Sequence, residues 1–306
     1  MTNSVSKPFP WHLLAPPDPA ELPLPPPARP AEGVRLLRGA VYGVLDASRP
    51  LVVDLWLPED VGGPVPLVVF VHGGGWRTGT RDAVGPRFQN WQPGPFVRLV
   101  RAGFAVASPD YRLSGEATHP AQAEDLAACL AWLHTRAADL NIDTTRTVLW
   151  GESAGGHLAA LTALTQHRRR GSATVTGCVT WYAPTDLAGL AEDHPGGAFD
   201  PRNPSTRESL LLGGAVADRP EQARDASPVT HVGPDAPPFL ILHGTDDVLV
   251  PAQQSVRLAE ALRAVGHDPE LRLLPGGNHL WVGLSDEDVE NCYALTADFA
   301  RRCTSA

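Results

Sequence analysis

The chain has no surplus of basic residues, no cysteines at metal-ligand or redox spacing and no long apolar run, and each absence removes a class of function. Lysine and arginine number 25 against 34 aspartates and glutamates, a formal net charge of −9. Nucleic acid and anionic membrane surfaces both demand concentrated cations, so neither is expected as a partner. Neutral or weakly charged small molecules suit this composition better. Two of the four cysteines, Cys129, Cys178, Cys292 and Cys303, fall in apolar stretches that look like core, and all four read as free thiols. No apolar stretch approaches the roughly 20 residues that span a bilayer. The first residues lack the basic start, apolar run and small-residue cleavage site of a secretory signal, which points to a cytoplasmic location.

What remains is 306 residues at 43% hydrophobic, enough for one large core and, by default, one catalytic domain. Residues 1–32 stand apart. Their ten prolines fix φ and remove donors, so the segment reads as an extended arm without a helix or an inner strand. Phe9, Trp11, Leu13 and Leu14 are costly to leave in water. The arm is therefore expected to pack on the body or on a partner chain, the latter a route to a homo-oligomer, rather than to hang as a disordered tail.

Residues 33–306 read as an α/β domain, with short β-branched runs alternating with helical patterns as in a mostly parallel sheet covered by helices on both faces. The runs 66–71, 104–107, 147–150, 179–182 and 239–242 are apolar throughout and predict buried central strands. Residues 34–45 and 51–57 alternate more and predict an antiparallel hairpin at the N-terminal edge of the sheet. Leu126, Cys129, Leu130 and Leu133 make one helical stripe; Leu258, Leu262 and Val265 make another that ends before Gly266. Residues 187–232 are rich in Gly, Pro, Asp and Arg and too long for a simple connection, so an insertion near the site is expected there.

Three motifs carry chemistry. Gly151-Glu152-Ser153-Ala154-Gly155 reads G-x-S-x-G between a predicted strand and a predicted helix. In that setting a serine is lifted clear of the sheet on a strained turn, small neighbours let the turn close, and the helix N-terminus faces developing negative charge. His72-Gly73-Gly74-Gly75-Trp76 follows the strand at 66–71, where glycines allow backbone N–H groups to turn toward an anion. Its donors are expected to be Gly74 and Gly75, joined by Ala154, the residue after the nucleophile. The remaining triad members should follow as acid and then histidine, each on a loop after a strand. His243-Gly244-Thr245-Asp246-Asp247 and Gly276-Gly277-Asn278-His279 supply them, and Asp247 and His279 are assigned beside Ser153.

The set H-G-G-G-W, D-Y-R-L, G-E-S-A-G-G-H, H-G-T-D-D-x-x-V-P and G-G-N-H resembles the α/β-hydrolase carboxylesterases. Within them it is similar to the hormone-sensitive-lipase-like and the acetyl or feruloyl esterase-like (BD-FAE-type) branches, over nearly everything after residue 33. The resemblance implies the α/β-hydrolase fold and ester hydrolysis without a metal or organic cofactor. It maps the acid before x-x-V-P onto Asp247 rather than Asp246, and it reads Asp110-Tyr111-Arg112-Leu113 as a structural turn before a helix. Two departures bear on the substrate: Ser114-Gly115-Glu116 stands where the lipase-like branch reads A-P-E, and the arm lacks the helical pattern of a lipase-like cap.

Other polar and aromatic residues near these motifs have plainer explanations. His72, His157 and His243 are expected to support turns by hydrogen bonding, and Glu152 to pin the nucleophile turn. Trp76, Trp181 and Trp281 are candidate pocket walls by position, against core packing as the alternative; Tyr182 lies in the same region. The expected function is hydrolysis of short-chain acyl esters of small alcohols, phenols or sugars. An arylformamidase or small peptidase on the same machinery is the alternative, and a non-catalytic binding protein on a hydrolase scaffold is a second, disfavoured because no triad member is missing.

Overall fold

The computed structural model describes residues 16–305 except positions 47, 60, 83, 167–169, 195 and 196. Phe9, Trp11, Leu13 and Leu14 lie outside the described residues.

The apolar run at 66–71 becomes β4 (Val65–Val71), at the middle of a sheet whose other members are β1 (Pro27–Ala31), β2 (Val34–Gly43), β3 (Leu51–Pro58), β5 (Ala105–Pro109), β6 (Ile142–Glu152), β7 (Val175–Trp181), β8 (Phe239–Gly244) and β9 (Glu270–Leu274). The order is β1-β2-β3-β5-β4-β6-β7-β8-β9. The four strands β1, β2, β3 and β5 pair antiparallel in succession, and every pair from β5·β4 to β8·β9 is parallel. Since side chains alternate across a strand, an unbroken apolar run feeds two cores at once. Leu67, Val69 and Val71 enter one core while Val68 and Phe70 enter the other, and Phe239, Ile241 and Leu240, Leu242 divide the same way. Helices Ala121–Thr135, Ala154–Gln166 and Gln253–Ala264 cover the first face; helices Pro95–Arg101 and Asp286–Thr304 cover the second. This is the α/β-hydrolase fold.

The stripe Leu126, Cys129, Leu130, Leu133 is buried against the sheet as expected. The second stripe stops one residue early: the helix ends at Ala264, and Val265 is an exposed C-cap. The hairpin β2–β3 is present, but it is not the edge. Residues 27–31 of the proline-rich segment add β1 outside β2, in a short register broken by a shift between Ala28 and Ala31. Proline, lacking a ladder donor, is tolerated at such an edge. Residues 19–22, upstream of β1, lie on the chain's own body. Trp132 donates its indole N–H to the Pro19 carbonyl at 3.1 Å, and Arg136 donates to the carbonyls of Ala20 and Leu22 at 3.1 and 3.0 Å.

The turn after β5 locks the fold to the site. Asp125, buried on helix Ala121–Thr135, accepts from the Arg112 backbone N–H at 2.8 Å and from the Arg112 guanidinium at 2.6 Å. Two residues on, the Ser114 N–H donates to the Trp76 carbonyl at 2.7 Å, bracing the loop after β4. Arg81 bridges the buried Asp54 and Asp110, 2.7 Å from each, and braces that loop's far end. Asp125→Ala leaves the Arg112 guanidinium only the Ala121 carbonyl at 3.2 Å and the Glu124 carboxylate at 3.9 Å, and should lower the unfolding free energy by about 2 kcal/mol, read from urea midpoints. An unchanged midpoint would show the turn to be held by other contacts.

Candidate active site

Parallel strands β4, β6, β7, β8 and β9 all end on the same side of the sheet, where α/β proteins place their ligands. Between the last residue of β6 and the first of helix Ala154–Gln166 stands a single residue, Ser153, at φ 51°. A left-handed serine is uncommon and is held here by its surroundings. A Cβ on Gly155 would lie 2.0 Å from the Val71 carbonyl oxygen, and one on Gly151 would lie 2.2 Å from the Gly155 carbonyl oxygen. The reversal therefore closes only with glycine at both places, which is the steric content of G-x-S-x-G. The Ser153 N–H donates to the Trp181 carbonyl at 2.8 Å, tying the turn to the end of β7.

His279 reaches this serine from the loop after β9. Its Nε2 lies 2.9 Å from Ser153 Oγ and its Nδ1 lies 2.7 Å from Asp247 Oδ2. A carboxylate can only accept, so Nδ1 carries the proton and Nε2 is free to accept from the serine hydroxyl. Asp247 Oδ1 takes the backbone N–H groups of Leu249 and Val250 at 2.9 and 2.8 Å. Burial by itself would raise the Asp247 carboxyl, but hydrogen bonds from His243 and His279 outweigh it and hold the group well below the usual carboxylate range. Asp246 is exposed and points its carboxylate to Thr245, so the acid is Asp247. Asn278 joins the two loops: its Oδ1 accepts from the N–H groups of His279 at 2.7 Å and Val248 at 3.2 Å. Serine, histidine and acid thus form the triad of a serine hydrolase.

The supporting residues behave as turn braces. His243, fully buried, contacts Ser255 Oγ at 2.6 Å and donates to the Val250 carbonyl at 2.8 Å. His72 stacks on Tyr111 at 4.4 Å, with burial lowering its pKa. His157 accepts from the Trp76 indole at 3.2 Å and donates to the Ala226 carbonyl at 2.6 Å. Burial depresses its pKa to about 3. Glu152 accepts from the Tyr182 hydroxyl at 2.7 Å and the Gly85 N–H at 3.2 Å; burial raises its carboxyl against both bonds. The Tyr182 ring packs edge-on to His279 at 4.8 Å.

A cavity of about 370 Å³ opens over the serine, lined by Gly74, Gly75, Trp76, Arg77, Thr78, Ser153, Ala154, Pro184, Arg207, Glu208, Leu249, Val250, His279 and Leu280. The structure brings Trp76 to this wall but not Trp181 or Trp281. Trp181 packs against Phe88 and donates to Thr296 Oγ1 at 3.0 Å, inside the core under the second face. Trp281 joins it there because Leu280 and Trp281 both take left-handed backbone, φ 58° and 62°, turning the indole inward and leaving Leu280 on the cavity. Arg207 and Glu208 escaped the sequence reading. They arrive on helix Arg207–Leu212, within the segment 187–232, whose other short α-helices among the described residues are Leu190–Asp193 and Pro220–Asp225. Only three-dimensional packing brings them beside Gly75. Pro184 and Arg77 had a signal, since each lies just past a strand end on the site's side of the sheet.

Among the described residues no helix is long and apolar enough to cross a membrane, and no cluster of three or more His, Cys, Asp or Glu is placed to hold a metal ion.

The BD-FAE family model matches residues 53–262. The curated protein "Probable carboxylic ester hydrolase LipM" of Mycobacterium tuberculosis is 30% identical over 71% of this chain and 50% of its own length. "Esterase LipC" of the same organism is 31% identical over 79% of this chain and 59% of its own. The chain thus spans about half the length of the curated relatives it matches. Among solved structures, "Truncated form of carbohydrate esterase from gut microbiota" superposes with a TM-score of 0.75 at 25% identity, covering 90% of this chain and 99% of that one. "Bacterial Heroin Esterase" gives 0.70 at 26% identity, covering 90% and 86%.

The buried neutral His157 makes stability depend on pH. Its native pKa, about 3, lies below the ordinary 6.5, so the unfolded chain takes up the proton first. Stability is complete above the ordinary value and falls as pH drops toward the native one. His157→Gln, which keeps an acceptor for Trp76 and a donor for Ala226, should flatten the fall in urea midpoint between pH 6.5 and pH 4. An equally steep fall in the variant would assign the acid sensitivity to other groups.

Proposed function

Because the chain belongs to the BD-FAE family of α/β-hydrolases, we propose that it is a serine carboxylesterase that hydrolyses short-chain acyl esters of small alcohols, phenols or sugars through an acyl-enzyme. The observation that carries this reading is the unbroken relay from Ser153 through His279 to Asp247, at 2.9 and 2.7 Å, opening on a cavity of small-molecule size.

In the first half-reaction Ser153 Oγ bonds to the ester carbonyl carbon while its proton passes to His279 Nε2. Asp247 holds the imidazole tautomer and stabilises the imidazolium. We assign the oxyanion to the N–H groups of Gly74, Gly75 and Ala154. All three residues line the cavity with Ser153, and among the described residues no acceptor engages these N–H groups. Ala154 opens its helix, so its N–H has no intrahelical partner. Collapse breaks the bond to the alcohol oxygen, which leaves with the proton from His279. Water, deprotonated by His279, then adds to the acyl carbon, and the carboxylic acid departs as Ser153 recovers its proton. Trp76 is assigned to the substrate wall.

We take residues 33–306 as the catalytic domain and 1–32 as the arm, with 187–232 an insertion shaping the cavity. A homo-oligomer through the arm is proposed; within the arm, Pro19, Ala20 and Leu22 and strand β1 are engaged with their own chain. The free thiols of Cys129, Cys178, Cys292 and Cys303 suit a reducing, cytoplasmic setting.

The test is hydrolysis of p-nitrophenyl acetate, butyrate and octanoate by the wild type and by Ser153→Ala. Turnover should fall with chain length and vanish in the variant. Serine-dependent but uniformly feeble turnover would move the reading to formamides or peptides, and turnover persisting without the hydroxyl would sink it. Asp247→Asn should lower kcat about 10⁴-fold by releasing the wrong tautomer, whereas loss of one oxyanion donor costs roughly 10²–10³.

A further inference from the structure

The chain as a whole is strongly acidic, with a formal net charge of −9, yet two guanidinium-bearing residues, Arg77 and Arg207, line the catalytic cavity. Several arginines elsewhere are engaged: Arg81 bridges Asp54 and Asp110, Arg112 grips Asp125, and Arg257 holds Asp193 and Glu192. Among the described residues the side chains of Arg77 and Arg207 have neither a hydrogen-bond acceptor nor an ion-pair partner. Arg207 is nonetheless held in place. Its stem crosses Gly75, so that a Cβ there would fall 2.3 Å from Arg207 Cδ and 2.9 Å from Nε. This sets a rigid five-donor fork beside the loop that carries the oxyanion glycines, with its donors unspent. Arg77 lies two residues further along that same loop.

We propose that Arg77 and Arg207 form an anion subsite within the catalytic cavity and that the favoured substrate is an ester bearing a free carboxylate. The inference rests on the ester-hydrolase reading of the site. A guanidinium binds a carboxylate through two parallel charge-assisted hydrogen bonds, and since Arg77 and Arg207 are both exposed, their attraction for an anion is open to screening by salt. Glu208 is the acidic residue of the same wall and is not in contact with Arg207 as an ion pair; burial raises its carboxyl, and the Arg207 charge partly opposes this at longer range. When ionised it cancels one of the two positive charges, so the surplus matches a carboxylate monoanion rather than a phosphate dianion. A cavity of about 370 Å³ accommodates an ester together with a carboxylated ring or short chain.

The carboxylate can belong to the alcohol or to the acyl part, and two matched pairs separate the sources. 4-Acetoxybenzoate is compared with methyl 4-acetoxybenzoate, and monomethyl glutarate with dimethyl glutarate, as kcat/KM at low and at high salt. The anionic member of at least one pair should be favoured about tenfold or more at low salt, the factor that a hydrogen bond to a charged group of about 1.5 kcal/mol supplies. Preference in the first pair places the anion on the alcohol side, and in the second on the acyl side. Salt should erode it. Arg207→Gln, which keeps Cδ over Gly75, and Arg77→Gln should each shrink the ratio, chiefly through KM, and Glu208→Gln should enlarge it. Serine-dependent turnover of the neutral esters with no anionic preference, or a preference that survives in the double Arg77→Gln, Arg207→Gln variant, would overturn the subsite alone. Absence of Ser153-dependent turnover of every ester would overturn the ester reading and the subsite with it.

Discussion

The closest constraint in the molecule is the approach of the helix after Ser153 to the end of β4, where the carbonyl of Val71 would stand 2.0 Å from any Cβ at position 155. Much of the site follows from it. A helix that starts so near β4 must leave β6 through one left-handed residue, which is Ser153 at φ 51°. The same approach sets the helix N-terminus beside the glycine loop that β4 releases. Ser153 and the glycine loop are thus brought together by one absence of side chain, and an alanine there would separate both from their places.

The acid and the base rest on a second close approach. A Cβ on Gly244 would lie 2.1 Å from the Gly277 carbonyl oxygen, so the loops after β8 and β9 touch backbone to backbone. Asn278 then hydrogen-bonds across both, and His243 fills the space beneath Asp247. The carboxylate is buried but surrounded by donors, and those donors overcome its desolvation. Charge is kept where the imidazolium will form, and the imidazole ring is confined by Tyr182, whose hydroxyl is fixed in turn by Glu152.

Strand positions were readable because β4, β6, β7 and β8 are buried on both faces and so carry unbroken apolar runs. The triad was readable because its turns need glycines at fixed offsets and a fixed chain order. The edge strand β1 was not, since a proline-rich segment has no strand signature and pairs here through only a few residues. Trp181 and Trp281 were misplaced by an argument from sequence distance. Direction decides such cases, and the left-handed backbone at 280 and 281 sends one indole into the core. Arg207 and Glu208 could not be found at all, because no local pattern says where a short helix in a polar segment will land.

One small bridge joins these levels. His157, on the nucleophile helix, holds the Trp76 indole on one ring nitrogen and the Ala226 carbonyl on the other. The segment that supplies the cavity's charged wall is therefore tethered to the glycine loop after β4. Anyone grafting a different segment 187–232 to recast selectivity inherits a geometric obligation. The graft must return a backbone oxygen to the place of Ala226, or the histidine loses its acceptor and the tryptophan its anchor. Selectivity and turnover on this scaffold are not independently exchangeable modules.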